Sequence, residues 1–225
     1  LLLVFLVVKM IFQYWVLNPY YDLHRDEYLH LDLANHLTAG YLSVPPLIAF
    51  NSLLIQWLGN SIFWIKFFPA LYGALTMILI WKIVEMLDGK WFAQVLAALA
   101  FICSAMSRLN LLYQPNSFDV LAWTMLFWCL LQYLRTDESR WLLWMGVVTG
   151  IGILNKYNIL FLVIGMLGVL LVAARRRIFR DKYLYVGAVA ALLIILPNVV
   201  WQLQHVRPVI HHMKELSESR LVHVS

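Results

Sequence analysis

The chain has 225 residues, of which 63% are hydrophobic and only 13% are charged, and its mean hydropathy is +0.76. A water-soluble domain has about half apolar and about a quarter charged residues, so this composition excludes a soluble globule and predicts an all-α polytopic membrane protein. The net charge of +5 does not indicate a nucleic-acid partner, because the sequence has no Gly-rich phosphate loop and no basic and aromatic groove.

Seven apolar segments are long enough, or nearly so, to cross a bilayer, which takes about 20 residues. They are residues 1–17, 61–87, 91–109, 118–134, 141–154, 159–174 and 183–201. We interpret the first as a retained helix rather than a signal peptide, because no small-residue cleavage site follows it. Residues 47–58 are apolar but short, and they predict a helix that lies at the membrane surface or enters it partway.

The whole chain, residues 1–225, is predicted to form one transmembrane domain in which residues 18–46 are the first outer loop. We expect it to be part of a longer protein, since it starts with Leu1 and its last residues form no recognisable end. Lys and Arg cluster in three short turns that therefore face the cytoplasm. These cations are Lys90, Arg135, Arg140, Arg175, Arg176, Arg177, Arg180 and Lys182.

The opposite, outer ends of the spans collect polar residues that are not simple topology signals. Polar groups at membrane depth are costly unless they line a cavity or pair with each other, so the pattern predicts one shared site that faces outward. Besides the first loop, the residues concerned are Asn110, Gln114, Asn116, Asp119, Asn155, Lys156, Asn158, Gln202, Gln204 and His205.

The first loop contains the segment HRDEYLHLDLANHLTAG at residues 24–40. If residues 21–38 are helical, Asp22, Asp26 and His30 share one face at four-residue spacing. Asp32 and His36 would then form a second pair, and Ala39-Gly40 would end the helix. The alternative is a solvated helix with ordinary ion pairs.

Two further residues have alternative interpretations on residue type alone. Asp119 follows a short polar return at the start of a span, where it either stabilises the helix N-terminus or belongs to a site. Lys156 follows a short Gly-rich span, where it either extends to the interface or holds a phosphate as a compact cation.

Three segments, RDEYLHLDLANHLTAGYLSVPPLIAF, YQPNSFDVLAW and GILNKYNILFL, resemble bacterial integral-membrane glycosyltransferases related to protein O-mannosyltransferases and the lipid A aminoarabinose transferase. The resemblance covers about residues 25–161. It implies a C-type glycosyltransferase fold that works at the periplasmic face of the inner membrane, and we expect no cofactor and assign no metal ligands. Such enzymes move a sugar from a polyprenyl-phosphate donor to a hydroxyl of a lipid, glycan or protein acceptor, with inversion at the sugar carbon.

The resemblance also implies roles for particular residues. Asp26 matches the catalytic acid of the first loop, Glu27 is its neighbour in the motif, and Asp119 matches the acid of the second outer loop. A carboxylate suits the removal of a proton from an acceptor hydroxyl, and a nearby cation suits a leaving phosphate. Val44 stands where some relatives carry a basic residue, which leaves the phosphate-binding cation open. The expected substrate-binding residues are Arg25, His30, Lys66, Asn116, Lys156 and Tyr157.

Two other functions are compatible with a bundle that has a polar outer site. One is a transporter or flippase of a lipid carrier, and the other is a membrane subunit that binds such a lipid without catalysis. Transporters usually hold ionisable groups near the bilayer midplane and often contain repeats. Here the charges lie at the ends of spans and no repeat is evident, which favours the transferase.

Overall fold

A computed structural model describes residues 1–17, 22–172 and 176–205, together with residues 208, 210 and 214. The described residues form α-helices, two short 3₁₀ helices and no strand, which confirms the prediction of an all-α membrane protein. The start of the outer loop at 18–21, Arg175 of the basic run and most of the polar tail lie outside the described residues.

The described part of the chain has ten α-helices, which we number in order. The two 3₁₀ helices are Leu33–Asn35 and Arg176–Arg180. The α-helices are α1 Leu2–Trp15, α2 Arg25–Asp32, α3 Leu47–Trp57, α4 Ile62–Met86, α5 Trp91–Ile102, α6 Ala105–Leu109, α7 Pro115–Thr136, α8 Arg140–Asn155, α9 Ile159–Val172 and α10 Lys182–Gln204.

Among the described residues, α4, α7 and α10 are long and apolar enough to cross a membrane. Four shorter helices are also apolar, namely α1, α3, α5 and α9. A tilted or partly inserted short helix needs support from its neighbours to stay in a bilayer, and helix length alone does not decide whether it spans. The total of about seven spans therefore stays a prediction.

The predicted third span, residues 91–109, is not one helix. It divides into α5 and α6 at Cys103 and Ser104. The Ser104 hydroxyl accepts a hydrogen bond from the backbone N–H of Met106 and donates one to the carbonyl of Phe101. A serine at this position caps a new helix, and this local bonding is invisible in a hydropathy profile.

The helix predicted across residues 21–38 is also shorter in the structure. It begins at Arg25 because the His24 Nδ1 accepts the Asp26 N–H, while the Glu27 carboxylate accepts the His24 N–H, a reciprocal cap. It ends at Asp32, whose carboxylate accepts from the Asn35 side chain. Asp22 therefore precedes the helix instead of sharing its face.

Helix α7 starts three residues before the predicted span. Pro115 occupies the first helical position, where a missing N–H and a fixed φ cost nothing. The helix ends at Asp137, which has a left-handed φ of 53° and returns its N–H to the Tyr133 carbonyl. These two ends orient α7 so that its first turn lies beside the outer loop.

Two apolar cores hold the outer loop and the helix bundle. One lies beneath the loop and joins α3 and α4 through Ile48, Ile55, Ile65, Phe68 and Tyr113. The other joins α7, α8 and α9 through Ala122, Leu126, Ile153, Ile159 and Met166. Together they fix the ends of α2, α7 and α8 relative to one another, and the polar site lies at those ends.

Candidate active site

Glu27 anchors the outer loop to the bundle. Its side chain is only 1% exposed, and its carboxylate accepts bonds from the Lys66 ammonium at 2.6 and 2.9 Å. It also accepts from the backbone N–H groups of Tyr113 at 2.7 Å and His24 at 2.8 Å. A buried carboxylate is stable only when it is paired and fully hydrogen-bonded, and these four bonds meet that need.

The Lys66 ammonium is also fully engaged. Besides its two bonds to Glu27, it donates to the Leu111 carbonyl at 3.0 Å, so its three protons are all used. Glu27 and Lys66 thus join α2, α4 and the segment before α7, and neither has an unused hydrogen-bonding group directed at a substrate.

Asp26, the next residue along α2, has a very different environment from Glu27. Its side chain is 38% exposed, and its Oδ2 accepts a bond from the Gln114 amide at 3.1 Å. The Arg25 guanidinium lies 3.4 Å from Oδ1 but is itself 90% exposed. Each carboxylate oxygen of Asp26 thus accepts one hydrogen bond, from Gln114 or from the exposed Arg25, and the carboxylate stays partly open to solvent.

A chain of side-chain hydrogen bonds connects Asp26 to Lys156. The Asn116 amide donates to the Gln114 carbonyl oxygen at 3.0 Å, and the Lys156 ammonium donates to the Asn116 oxygen at 2.9 Å. An ammonium only donates and a carboxylate only accepts, so the two ends fix the orientation of both amides between them. The structure therefore brings Asp26, Asn116 and Lys156 together, from positions up to 130 residues apart along the printed sequence.

Asp119 lies one turn into α7 and is 9% exposed. Its Oδ2 accepts from the Asn158 amide at 2.8 Å, whereas its Oδ1 has no hydrogen-bond partner among the described residues. The same α8–α9 connection is tied to α7 by the Asn155 amide, which donates to the Pro115 carbonyl at 2.9 Å. A buried carboxylate oxygen without a partner is a costly feature that suits a ligand hydroxyl.

Tyr157 connects this end of the bundle to α10. Its hydroxyl donates to the Asn198 side-chain oxygen at 2.9 Å, and the Asn198 amide donates to the Ala39 carbonyl at 2.8 Å. Burial raises the pKa of the Tyr157 phenol, which keeps the hydroxyl protonated. Tyr157 and Asn198 thereby hold the outer loop against α10.

His30, like Lys66, is an expected substrate-binding residue that is buried, with 6% exposure. Its Nδ1 has no partner among the described residues, and its carbonyl accepts a bond from the Ser52 hydroxyl. Burial lowers the pKa of His30, against the opposing charges of Asp26 and Glu27. His30 thus faces the core between α2 and α3.

The sequence did not identify the specific roles of three amides, Gln114, Asn155 and Asn158. Each was recognised only as one of several polar residues at the outer ends of spans. Amide side chains carry no charge and have no motif, so nothing in the sequence indicates which partner each one bonds. The Gln-Pro-Asn order of residues 114–116 is a signal for the position of these amides in the sequence. A proline favours the first helical position, so its neighbours lie at the start of a helix.

Comparison with known proteins agrees with this architecture. Residues 43–201 match the family described as dolichyl-phosphate-mannose-protein mannosyltransferase. The chain is 28% identical over 202 residues to the lipid A galacturonosyltransferase RgtD of Rhizobium johnstonii, an alignment that covers 87% of this chain and 42% of that protein. The chain thus spans less than half the length of that relative, and no solved structure matches it. With more than half of its residues matched, the chain belongs to the dolichyl-phosphate-mannose-protein mannosyltransferase family of membrane glycosyltransferases.

Proposed function

We propose that the protein transfers a sugar from a polyprenyl-phosphate donor to an acceptor hydroxyl at the periplasmic face of the bacterial inner membrane. The single observation that carries the proposal is the hydrogen-bonded chain from the half-exposed carboxylate of Asp26, through Gln114 and Asn116, to the ammonium of Lys156. It holds a base and a cation at one end of the bundle, as displacement of a phosphate by a hydroxyl requires.

In this reaction Asp26 accepts the acceptor's hydroxyl proton while the oxygen forms a bond to the anomeric carbon. The bond from that carbon to the phosphate oxygen breaks, and polyprenyl phosphate leaves with the electron pair. Because attack and departure occur on opposite faces, the sugar carbon inverts. Lys156 stabilises the charge on the leaving phosphate, and the exposed Arg25 beside Asp26 is a second cation that the phosphate could reach.

The remaining site residues support this geometry. We propose that Asp119 uses its unpartnered oxygen to accept a bond from a substrate hydroxyl. Glu27 and Lys66 act as positioning residues, because their mutual bonds hold α2 against α4. Asn116 orients Lys156, and Tyr157 holds the loop that follows α2 against α10.

The test is sugar transfer by the full protein that contains this chain, measured by mass spectrometry of products formed from polyprenyl-phosphate sugars. We expect Asp26→Asn to lower the transfer rate by about 10²- to 10⁴-fold while carrier binding persists, since general-base catalysis contributes about that much. Asp32→Asn is the matched control, because Asp32 is exposed on the same helix. If Asp26→Asn keeps full transfer activity, Asp26 is not the base.

A second set of measurements distinguishes a transferase from a subunit that binds the lipid carrier without catalysis. Lys156→Met should raise the KM for the donor, whereas Lys90→Met, an exposed lysine in the α4–α5 turn, should not. A wild-type protein that binds the carrier but transfers none of the supplied sugars would favour the non-catalytic alternative.

A further inference from the structure

A groove of about 420 Å³ lies between α1 and the break that separates α5 from α6. One wall consists of Phe12, Gln13 and Val16, and the other of residues between 102 and 111. None of the residues in either wall belongs to the chain of bonds between Asp26 and Lys156. The groove lies where α5 stops at Ile102 and α6 begins at Ala105.

Two of the polar residues that line this groove, Gln13 and Arg108, carry hydrogen-bond donors. The Gln13 side chain is 2% exposed, yet its amide nitrogen has no partner among the described residues. Arg108 lines the same groove, is exposed, and has no ion pair in the part of the chain that the structure describes. Among the described residues, no acidic side chain lines the groove. An unbonded buried amide N–H and an exposed guanidinium in the lining of one groove favour an anionic ligand.

Lys9 adds to the positive field. It precedes Gln13 by four residues on α1, so the two side chains lie one turn apart on the same face. The Lys9 side chain is 1% exposed, and its ammonium donates to the Ala70 carbonyl at 3.1 Å without a carboxylate partner in the described residues. Lys9 therefore lies behind the groove, against α4, and adds positive charge to the region without lining the groove itself.

Most of the remaining lining is apolar, and the hydroxyls of Ser104 and Ser107 in it donate to backbone carbonyls, which indicates the class of anion. Phe12, Val16, Ile102 and Leu111 line it below and beside the polar groups. The neighbouring surface of α1 is hydrophobic and exposed, with Val8 and Ile11 at 48% and 64% exposure. A free inorganic anion gains nothing from such walls, whereas a lipid with an anionic head and an acyl chain contacts both parts.

We propose that this groove binds an anionic glycerophospholipid of the outer leaflet, with its phosphate between Arg108 and Gln13 and an acyl chain along α1. Leu111 lines the groove, and its carbonyl accepts a bond from Lys66. The bound lipid therefore packs against the segment that carries the Glu27 anchor and stabilises it. The proposal is independent of the transfer reaction, because it concerns residues outside the candidate active site.

Cys103 provides a native reporter, since it is exposed and lines the groove, whereas Cys129 is buried at 1%. The full protein is purified in a neutral detergent, stripped of lipid, and supplied with phosphatidylglycerol or phosphatidylcholine. The rate of N-ethylmaleimide addition to each cysteine is then read by peptide mass spectrometry. We expect phosphatidylglycerol to slow modification of Cys103 about fivefold more than phosphatidylcholine, the effect of one favourable cation contact.

Two variants and one ion serve as controls. Arg108→Ala should abolish the difference between the two lipids, and Gln13→Leu should reduce it, while Cys129 stays unmodified throughout as the measure of intact folding. Inorganic phosphate at millimolar concentration should not protect Cys103. Equal protection by both lipids, or protection by phosphate alone, would overturn the proposal. So would a Cys103 that is unreactive without lipid, because the remainder of the protein or a second copy would then cover the groove.

Discussion

Asp26 and Glu27 are adjacent carboxylates with opposite environments. They are separated by about 100° around α2, so one faces the open end of the bundle while the other enters the protein. The buried Glu27 accepts four hydrogen bonds, whereas the half-exposed Asp26 accepts one from Gln114 and one from the exposed Arg25 and remains partly open to solvent. The acidic pair in the sequence predicted a site, but the sequence did not show that the two carboxylates have different environments and roles.

Removal of one partner of the buried Glu27–Lys66 pair should destabilise the protein strongly. Glu27→Gln leaves the Lys66 ammonium uncompensated, which costs about 3–5 kcal/mol for buried pairs. The double variant Glu27→Gln with Lys66→Met should recover part of that loss. Glu85→Gln, which breaks the exposed Lys82–Glu85 pair on α4, should cost about 0–1 kcal/mol. Thermal unfolding in detergent checks this, and equal losses for both pairs would contradict it.

The burial of His30 makes stability depend on pH. Its folded-state pKa is lowered, whereas an unfolded histidine has a pKa of about 6.5, so the unfolded chain takes up the proton first as the pH falls. Stability should therefore decrease as the pH falls through about 6.5, and the loss should be complete below the folded-state pKa.

His30→Gln should remove this component, and His36→Gln, at an exposed position of the same loop, should keep it. The measurement is the difference in unfolding temperature between pH 8 and pH 5. If the unfolding temperature of the His30 variant falls more between pH 8 and pH 5 than that of the parent protein, the predicted direction of this effect is wrong.

At the scale of elements, hydropathy predicted the long helices and missed the boundaries set by side-chain bonds. The segments at α4, α7 and α10 were found because about 20 apolar residues suffice to identify them. The break at Ser104 and the cap at His24 were not found, since each depends on one side chain reaching a backbone N–H. Apolar composition is the same on either side of such a break.

Helices α8 and α10 pack through glycine. A Cβ placed on Gly146 would overlap the carbonyl of Gly187, and a Cβ on Gly187 would lie 2.6 Å from the Leu142 carbonyl. Gly146 and Gly150 have the spacing of small residues that lets membrane helices approach closely. The sequence shows a Gly-rich segment here but gives no indication of which helix these glycines contact.

Gly146→Ala should therefore force α8 and α10 apart and cost about 1–3 kcal/mol, as overpacking does. Gly165→Ala on α9 is the matched control, because no atom lies within 4 Å of its Cβ position. The unfolding temperature of each variant in the same detergent provides the comparison. If Gly146→Ala is as stable as the Gly165 variant, the two helices are not in close contact.

At the scale of the whole molecule, the sequence correctly predicted an all-α membrane protein and the family to which it belongs. It also grouped the polar residues at one end of the spans. It could not predict that Gln114 bonds Asp26 or that Asn158 bonds Asp119, because these contacts join residues 88 and 39 positions apart. Such pairings depend on how the helices cross, which hydropathy does not encode.

The predicted orientation has a direct test. His36 in the outer loop and Lys90 in the α4–α5 turn are both exposed, and the charge distribution assigns them to opposite sides of the membrane. In a Cys103→Ser background, a membrane-impermeant maleimide should modify His36→Cys in intact cells, and Lys90→Cys only after permeabilisation. The reverse pattern would move the candidate site to the cytoplasmic face.

The anchor at Glu27 also constrains the order in which the nascent protein matures. Its partners Lys66 and Tyr113 follow it by 39 and 86 residues. At about 5–20 residues per second, the ribosome delivers the second partner roughly 4–17 s after the carboxylate itself. The carboxylate is not fully paired until both partners are present, so translation through Tyr113 has to precede complete closure of the outer loop during biogenesis.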